Sequence, residues 1–284
     1  MKKSRFDTQK ENQWCPGCGN FGIVSAMKQA FEDQDLAPQD LLLVGGIGQA
    51  GKTPHYVQCN MLHGLHGRAL AMATGAKTAN HDLRVVVSAG DGDCYGEGGN
   101  HFLAAIRRNV DITLLVHNNQ VYGLTKGQAS PTTALGTVTK LQDNGTTSDP
   151  FNPVATALAA GASFVARGFS GNTDQLKDLI VKAMSHNGFA MIDIFQPCVS
   201  FNKINTHAWY KDRVYDLADT DHDPKDLAKA LQLALDQGTD KIPTGLIFQQ
   251  GKKPFHQRLA PLRNQPLVTY PFDKKTITAI LEQG

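Results

Sequence analysis

A doubly wound, mostly parallel α/β sheet is the fold class this sequence predicts. Three observations predict it: short apolar runs rich in β-branched residues, amphipathic helical segments between them, and loops after the runs that are dense in Gly and polar residues. The runs are Leu41 to Val44, Val85 to Val87, Ile112 to Val116 and Met191 to Ile194, most of them bounded by Gly, Asp or Asn as buried parallel strands are. Apolar residues at three- and four-residue spacing predict helices over Phe21 to Phe31, Leu62 to Thr78, His101 to Arg108, Pro153 to Ala160 and Thr173 to His186. Such sheets bind ligands outside the carboxyl ends of their strands, which singles out the loops Gly45 to Thr53, Gly90 to Gly99 and Asn118 to Thr133. Thr137 to Asn152 has no periodicity and is expected to run over the surface. Beyond Phe201 the chain is rich in Pro and Lys, with one good helix near Asp223 to Asp236. The expected organisation is one domain over 1–200 and a C-terminal extension over 201–284 that packs on it or on a second chain, with no internal repeat.

At 284 residues, 41% hydrophobic and 19% charged, the chain has enough apolar residues for one sizeable core. A net charge of +2 with scattered Lys and Arg leaves no basic footprint for nucleic acid or an anionic membrane, so neither is expected as a partner. The polar start from Met1 to Lys10 and the absence of a long apolar window predict a cytoplasmic protein. Five cysteines are too few for a disulfide scaffold, and two stand as Cys15-Pro16-Gly17-Cys18, a spacing suited to metal or redox chemistry.

The strand Val85 to Val87 runs into Ser88-Ala89-Gly90-Asp91-Gly92-Asp93, and the next runs into His117-Asn118-Asn119-Gln120-Val121, which sets a carboxylate loop beside an amide loop. Magnesium wants about six hard oxygen ligands and takes some from phosphates, so one carboxylate, one amide oxygen and one main-chain carbonyl complete a diphosphate site. Asp91, Asn119 and the Val121 carbonyl are that candidate set. Gly92, Gly96, Gly98 and Gly99 let backbone N–H groups approach a diphosphate, and the helix expected near Asn100 aims its positive end there. A tight acidic turn is the plainer reading of Gly90 to Asp93, but it leaves Asn118-Asn119 unexplained.

The twenty-eight-residue interval from Asp91 to Asn119 matches the signature of thiamine-diphosphate enzymes. The likeness narrows with Arg107-Arg108-Asn109, Asn118-Asn119-Gln120-Val121-Tyr122-Gly123-Leu124-Thr125-Lys126-Gly127-Gln128 and Ser130-Pro131-Thr132. Together with Trp14-Cys15-Pro16-Gly17-Cys18-Gly19-Asn20 and Leu65-His66-Gly67-Arg68-Ala69, these runs are similar to the beta subunit of 2-oxoacid:ferredoxin oxidoreductases. The resemblance covers most of Trp14 to Cys198 and, more loosely, reaches Arg213-Val214-Tyr215. It implies thiamine-diphosphate-dependent oxidative decarboxylation of a 2-oxoacid to acyl-CoA and CO2, with electrons passed through a [4Fe-4S] cluster to ferredoxin. It also implies that Asp91, Asn119 and Val121 hold Mg2+. Gly90, Gly92, Asp93 and Gly67, with Tyr122, Gly123 and Leu124, would line the cofactor. His66 would face the diphosphate and Lys126 the substrate carboxylate, and these two are the candidate catalytic residues. As ordinary readings, Lys126 is a surface residue and His66 a packed one. The glutamate that activates the thiamine ring belongs to a different module in such enzymes, so an alpha subunit is expected as partner.

For the cluster the resemblance implies Cys15, Cys18 and Cys198, with a fourth cysteine in the loop after the first strand. This chain has Gln49 there, and Cys59, ten residues on, is the candidate replacement if Lys52 to Asn60 folds back toward Cys15. A three-cysteine cluster, a structural zinc or no metal are the alternatives, and Cys94 is expected to be a packed thiol.

One motif competes. Gly46-Ile47-Gly48-Gln49-Ala50-Gly51-Lys52-Thr53 satisfies the Walker A pattern and suggests a P-loop NTPase, but Pro54 stands where that loop needs a helix to continue. In the preferred reading Lys52 touches an anionic substrate group or a coenzyme A phosphate. A noncatalytic metal-binding scaffold and a nonoxidative thiamine-dependent decarboxylase lacking the cluster complete the alternatives.

Overall fold

The computed structural model describes residues 4–236, 240–271, 275 and 278. Its strands are β1 (Leu41–Gly45), β2 (Asn60–His63), β3 (Arg84–Gly90), β4 (Thr113–Asn118), β5 (Val121–Tyr122), β6 (Gln128–Ala129), β7 (Phe164–Phe169), β8 (Ala190–Phe195), β9 (Val214–Asp216) and β10 (Ile242–Gln249). Eight of them form one sheet in the order β2-β1-β3-β4-β8-β7-β10-β9, and β5 and β6 make a small hairpin. Neighbours in the large sheet are parallel except β7 and β10.

Successive residues of a strand point to opposite faces, and both faces here are covered. Leu42, Val44, Val85 and Val87 join one core, closed by α2 (Ala69–Ala79), α3 (Gly99–Arg108), α4 (Pro153–Ala159) and α7 (Leu227–Leu235). Leu41, Leu43, Val86 and Leu115 join the other, closed by α1 (Asn20–Asp33) and α5 (Thr173–Ser185). This is the doubly wound architecture. Among the described residues no helix is long and apolar enough to cross a membrane.

Two expectations are corrected. The helix expected over Leu62 to Thr78 begins only at Ala69, because Met61 and Leu62 sit in β2 at the exposed sheet edge and Gly67, at φ +74°, breaks the chain before the helix. The chain past residue 201 is more than a loop-rich tail with one helix: β9 and β10 extend the same sheet, and α7 packs on it. Pro243 is tolerated in β10 because it pairs only with β9, at Tyr215, while β7 engages from Gly245 onward.

Candidate active site

The parallel pairing of β3 with β4 puts Gly90 beside His117, so Asp91 and the Asn118-Asn119 pair leave the sheet side by side at its carboxyl end. Asp91 is buried, and its Oδ2 accepts from Ser130 Oγ at 2.5 Å and Thr132 Oγ1 at 2.6 Å. Burial pushes this carboxyl up to about 6; the two hydroxyls oppose that and Asp193 adds to it. Thr132 Oγ1 also reaches Asn118 Oδ1 at 2.9 Å, so the loop before Thr133 ties the two strand ends together. Asn119 Oδ1 accepts from the Val121 N–H at 3.0 Å, just where the β5–β6 hairpin starts. Asp91, Asn119 and Val121 are thus brought onto adjoining loops.

Asp93 serves a different purpose. Its Oδ1 accepts from the Ile47 N–H at 3.0 Å and the Gly67 N–H at 2.8 Å and meets His66 Nδ1 at 2.8 Å, so one buried carboxylate gathers the loops that follow β1, β2 and β3. Its Oδ2 is buried with no hydrogen-bond partner among the described residues. Gly67 is required on two counts: its positive φ, and a Glu97 carbonyl carbon 2.3 Å from where a Cβ would sit. Gly92 is required because the Tyr122 ring passes 2.1 Å from its would-be Cβ. The π-helical turn Gly92–Glu97 carries Glu97 to Tyr122 Oη at 3.2 Å and to His66 Nδ1 at 3.5 Å. His66 is part-exposed on this wall. Leu124 and Lys126 project from the turn after β5, Lys126 at φ +65°, and Lys126 lines a cavity of about 340 Å3 with Val121, Gly127 and Phe201.

The cysteine segment lies at the same end of the sheet. Gly19 N–H donates to the Pro197 carbonyl at 3.3 Å, Ser200 Oγ approaches Cys15 Sγ at 3.1 Å, and Gln196 Nε2 approaches Cys18 Sγ at 3.3 Å. Burial raises the Cys18 thiol to about 11, and Cys198 and Cys15 add to the rise. Among the described residues no three His, Cys, Asp or Glu side chains are gathered closely enough to hold a metal ion. Cys59 lies away from this segment, which corrects the expectation that it replaces the missing cysteine. It precedes Asn60, which pairs with Leu42, so it stands at the amino end of the β1–β2 pair while Gly46 to Gln49 leave the carboxyl end. Burial raises its thiol to about 11 with no contribution from another cysteine. Trp14 Nε1 donates to the Gln49 carbonyl at 2.9 Å, so Gln49 lies beside the cysteine segment, its Oε1 buried without a partner. Cys94 is buried, as expected of a packed thiol.

Two residues at the site carried no motif. Gln196, 1% exposed, accepts from Asn119 Nδ2 at 3.0 Å while donating toward Cys18, so a single side chain bridges the amide loop and the cysteine segment. Asp193 accepts from Tyr95 Oη and Asn118 Nδ2 beneath the same loop. Asp193 interrupts the apolar run of β8 and Gln196 directly follows it, so a polar residue inside or just past a buried strand was the available signal. The P-loop reading loses its context here, since Ala50–Tyr56 is a 3-10 turn with Pro54 inside it rather than the start of an α-helix.

A parallel sheet with paired carboxylate and amide loops at its carboxyl edge defines a thiamine-diphosphate-binding enzyme subunit, and residues 46–194 match the thiamine pyrophosphate enzyme C-terminal TPP binding domain. Residues 198–264 match the C-terminal region of the pyruvate ferredoxin oxidoreductase beta subunit. The chain is 45% identical over 266 residues to 2-oxoacid:ferredoxin oxidoreductase 1, subunit beta, of Aeropyrum pernix, covering 90% of this chain and 83% of that one. It is 46% identical over 265 residues to the corresponding beta subunit of Saccharolobus solfataricus, covering 88% and 86%. A solved 2-oxoglutarate:ferredoxin oxidoreductase from Magnetococcus marinus, with 2-oxoglutarate, coenzyme A and succinyl-CoA bound, superposes with a TM-score of 0.90 at 38% identity over 97% of this chain and 94% of that one. The chain belongs to the beta subunits of the 2-oxoacid:ferredoxin oxidoreductases.

Proposed function

We propose that this beta subunit holds thiamine diphosphate and Mg2+ against an alpha partner, decarboxylates a 2-oxoacid oxidatively to acyl-CoA and CO2, and delivers the electrons to ferredoxin in the cytoplasm. The observation that carries the reading is the pairing of Gly90 with His117, which places Asp91 and Asn119 on adjoining loops. The donor set fits a hard dication: a buried carboxylate, an amide oxygen with a second lone pair to spare, and a main-chain carbonyl. When bound, the thiamine ring acts as the electron sink for decarboxylation. The chain's own residues position and discriminate. Ser130 and Thr132 aim the Asp91 carboxylate. With His66 Nδ1 held by Asp93, its Nε2 is left to serve the diphosphate. Lys126, which lines its cavity, would supply a cation for the substrate carboxylate, and Lys52, in the turn after β1, one for a coenzyme A phosphate.

Cys15, Cys18 and Cys198 are the candidate thiolates of an iron–sulfur cluster, and the donors from Gln196 to Cys18 and Ser200 to Cys15 suit anionic sulfur. Copurification with the alpha subunit under anaerobic conditions, followed by iron and sulfide analysis and electron paramagnetic resonance after each 2-oxoacid, tests the reading. A cluster signal reduced by one 2-oxoacid in the presence of thiamine diphosphate is expected. Bound thiamine diphosphate with no iron, and CO2 release without electron transfer, would make the enzyme a nonoxidative decarboxylase. Cys59→Ser is expected to leave iron content unchanged, whereas Cys18→Ser lowers it; the same iron loss in both would return Cys59 to the ligand set.

A further inference from the structure

Beyond the diphosphate wall, at the carboxyl ends of β7 and β8, lies a half-open chamber of about 460 Å3. Arg167, from β7, points into it. Its side chain is 13% exposed, its Nε is buried without a hydrogen-bond partner, and its one ion-pair contact among the described residues is a 4.0 Å approach to Asp193 Oδ2, beyond hydrogen-bonding range. Asp193 already accepts from Tyr95 Oη at 2.9 Å and Asn118 Nδ2 at 3.2 Å. The guanidinium lies over the Phe195 ring at 5.2 Å, which fixes its plane. At the other side Arg213 stacks on Trp209 at 4.7 Å and gives one N–H to the Trp209 carbonyl. Burial pulls the Arg167 guanidinium down from its ordinary value, against the raising effect of Asp193.

A guanidinium offers five N–H donors in a planar fork, and holding it out of water without acceptors is costly. The missing element is an acceptor pair rather than net charge, because Asp193 and Asp236 also line the chamber. A carboxylate supplies two coplanar oxygens matched to the fork, while a doubly charged phosphate would meet the two aspartates. Phe151, Phe195, Trp209 and Tyr210 supply rings to the rest of the lining, among amide and hydroxyl side chains such as Asn118 and Thr132. We propose that the chamber is a binding site for a monocarboxylate with a flat apolar body, its head bidentate on Arg167 and its body against the part-exposed Phe151 and Trp209 rings. The chamber shares Asn118 and Thr132 with the diphosphate loops as a common wall, and adjoins the Lys126 cavity across Gln120 and Asn205.

The test is calorimetric titration of the full chain with phenylacetate, with benzylamine and inorganic phosphate as charge controls. Saturable binding of phenylacetate alone is expected, weakened roughly tenfold or more in Arg167→Met and partly restored in Arg167→Lys, which keeps the charge but not the fork. Stabilisation by thiamine diphosphate and Mg2+, retained in Arg167→Met, shows that the variant is folded and the neighbouring site intact. Phenylacetate binding unchanged in Arg167→Met, absent from the wild-type chain, or matched by benzylamine overturns the proposal. Phosphate binding tighter than phenylacetate does so too.

Discussion

Asp91→Asn is expected to abolish Mg2+-dependent binding of thiamine diphosphate and to lower 2-oxoacid turnover with the alpha subunit by roughly a thousandfold, since an amide gives a dication a far weaker ligand than a carboxylate. The same change should not unfold the chain. Asp91 is buried and its carboxyl is pushed up to about 6, so at pH 7 the fold holds an anion it disfavours. The sign follows from linkage: a carboxyl raised in the folded state destabilises above its folded pKa and stops doing so as pH falls toward the unfolded value. Removing the charge therefore relieves up to about 3 kcal/mol at neutral pH. The asparagine carbonyl still accepts from Ser130 or Thr132, and their oxygens can accept its N–H groups. Differential scanning of the full chain reads both effects: the variant alone melts no lower than the wild type, and thiamine diphosphate with Mg2+ raises the melting temperature of the wild type only. A variant that melts lower without ligand, or is still stabilised by it, would remove Asp91 from the ligand set.

The parts legible in the sequence were those whose physics is local. The continuous apolar runs of β1, β3, β4 and β8 can only be strands buried on both faces, and the polar residues at the ends of β3 and β4 must then meet if the two pair. β7 escaped because Ala166, Arg167 and Gly168 interrupt its apolar run; of these, Arg167 lines the chamber beside the active site. β10 escaped because Pro243 and Gly245 argue against a strand unless the partner strands are known. Cys59 was misplaced for the same reason: its ten-residue separation from Gln49 says nothing about direction, and the turn of Ala50–Tyr56 carries the chain back to the amino end of the sheet before β2 begins. Gln196, which joins Asn119 to Cys18, is set by strand register and by no motif.

In acid, His117 is expected to dominate the loss of stability. It is buried, with Nδ1 2.8 Å from Asn20 Oδ1 and Nε2 3.0 Å from Ser88 Oγ, and Ser88 in turn donates to the Ala50 carbonyl. One neutral ring thus ties the start of α1, just past Cys18, to β3, β4 and the turn after β1. Burial lowers its pKa to about 3. A histidine lowered in the folded state contributes stability that is complete above its unfolded value near 6.5 and is lost as pH falls, because the unfolded chain takes the proton first. The term amounts to about 2 kcal/mol by pH 5 and grows to roughly twice that near pH 3. Asp91 acts in the opposite direction over the same range, gaining as it protonates below about 6, so the wild-type profile is flatter than either term alone. The difference between proteins isolates the histidine. Urea unfolding of wild type and His117→Gln at pH 7 and pH 5 should show the variant gaining about 2 kcal/mol relative to wild type on acidification, with unchanged m-values. Parallel profiles would mean that His117 is protonated, or wetted, in the folded chain.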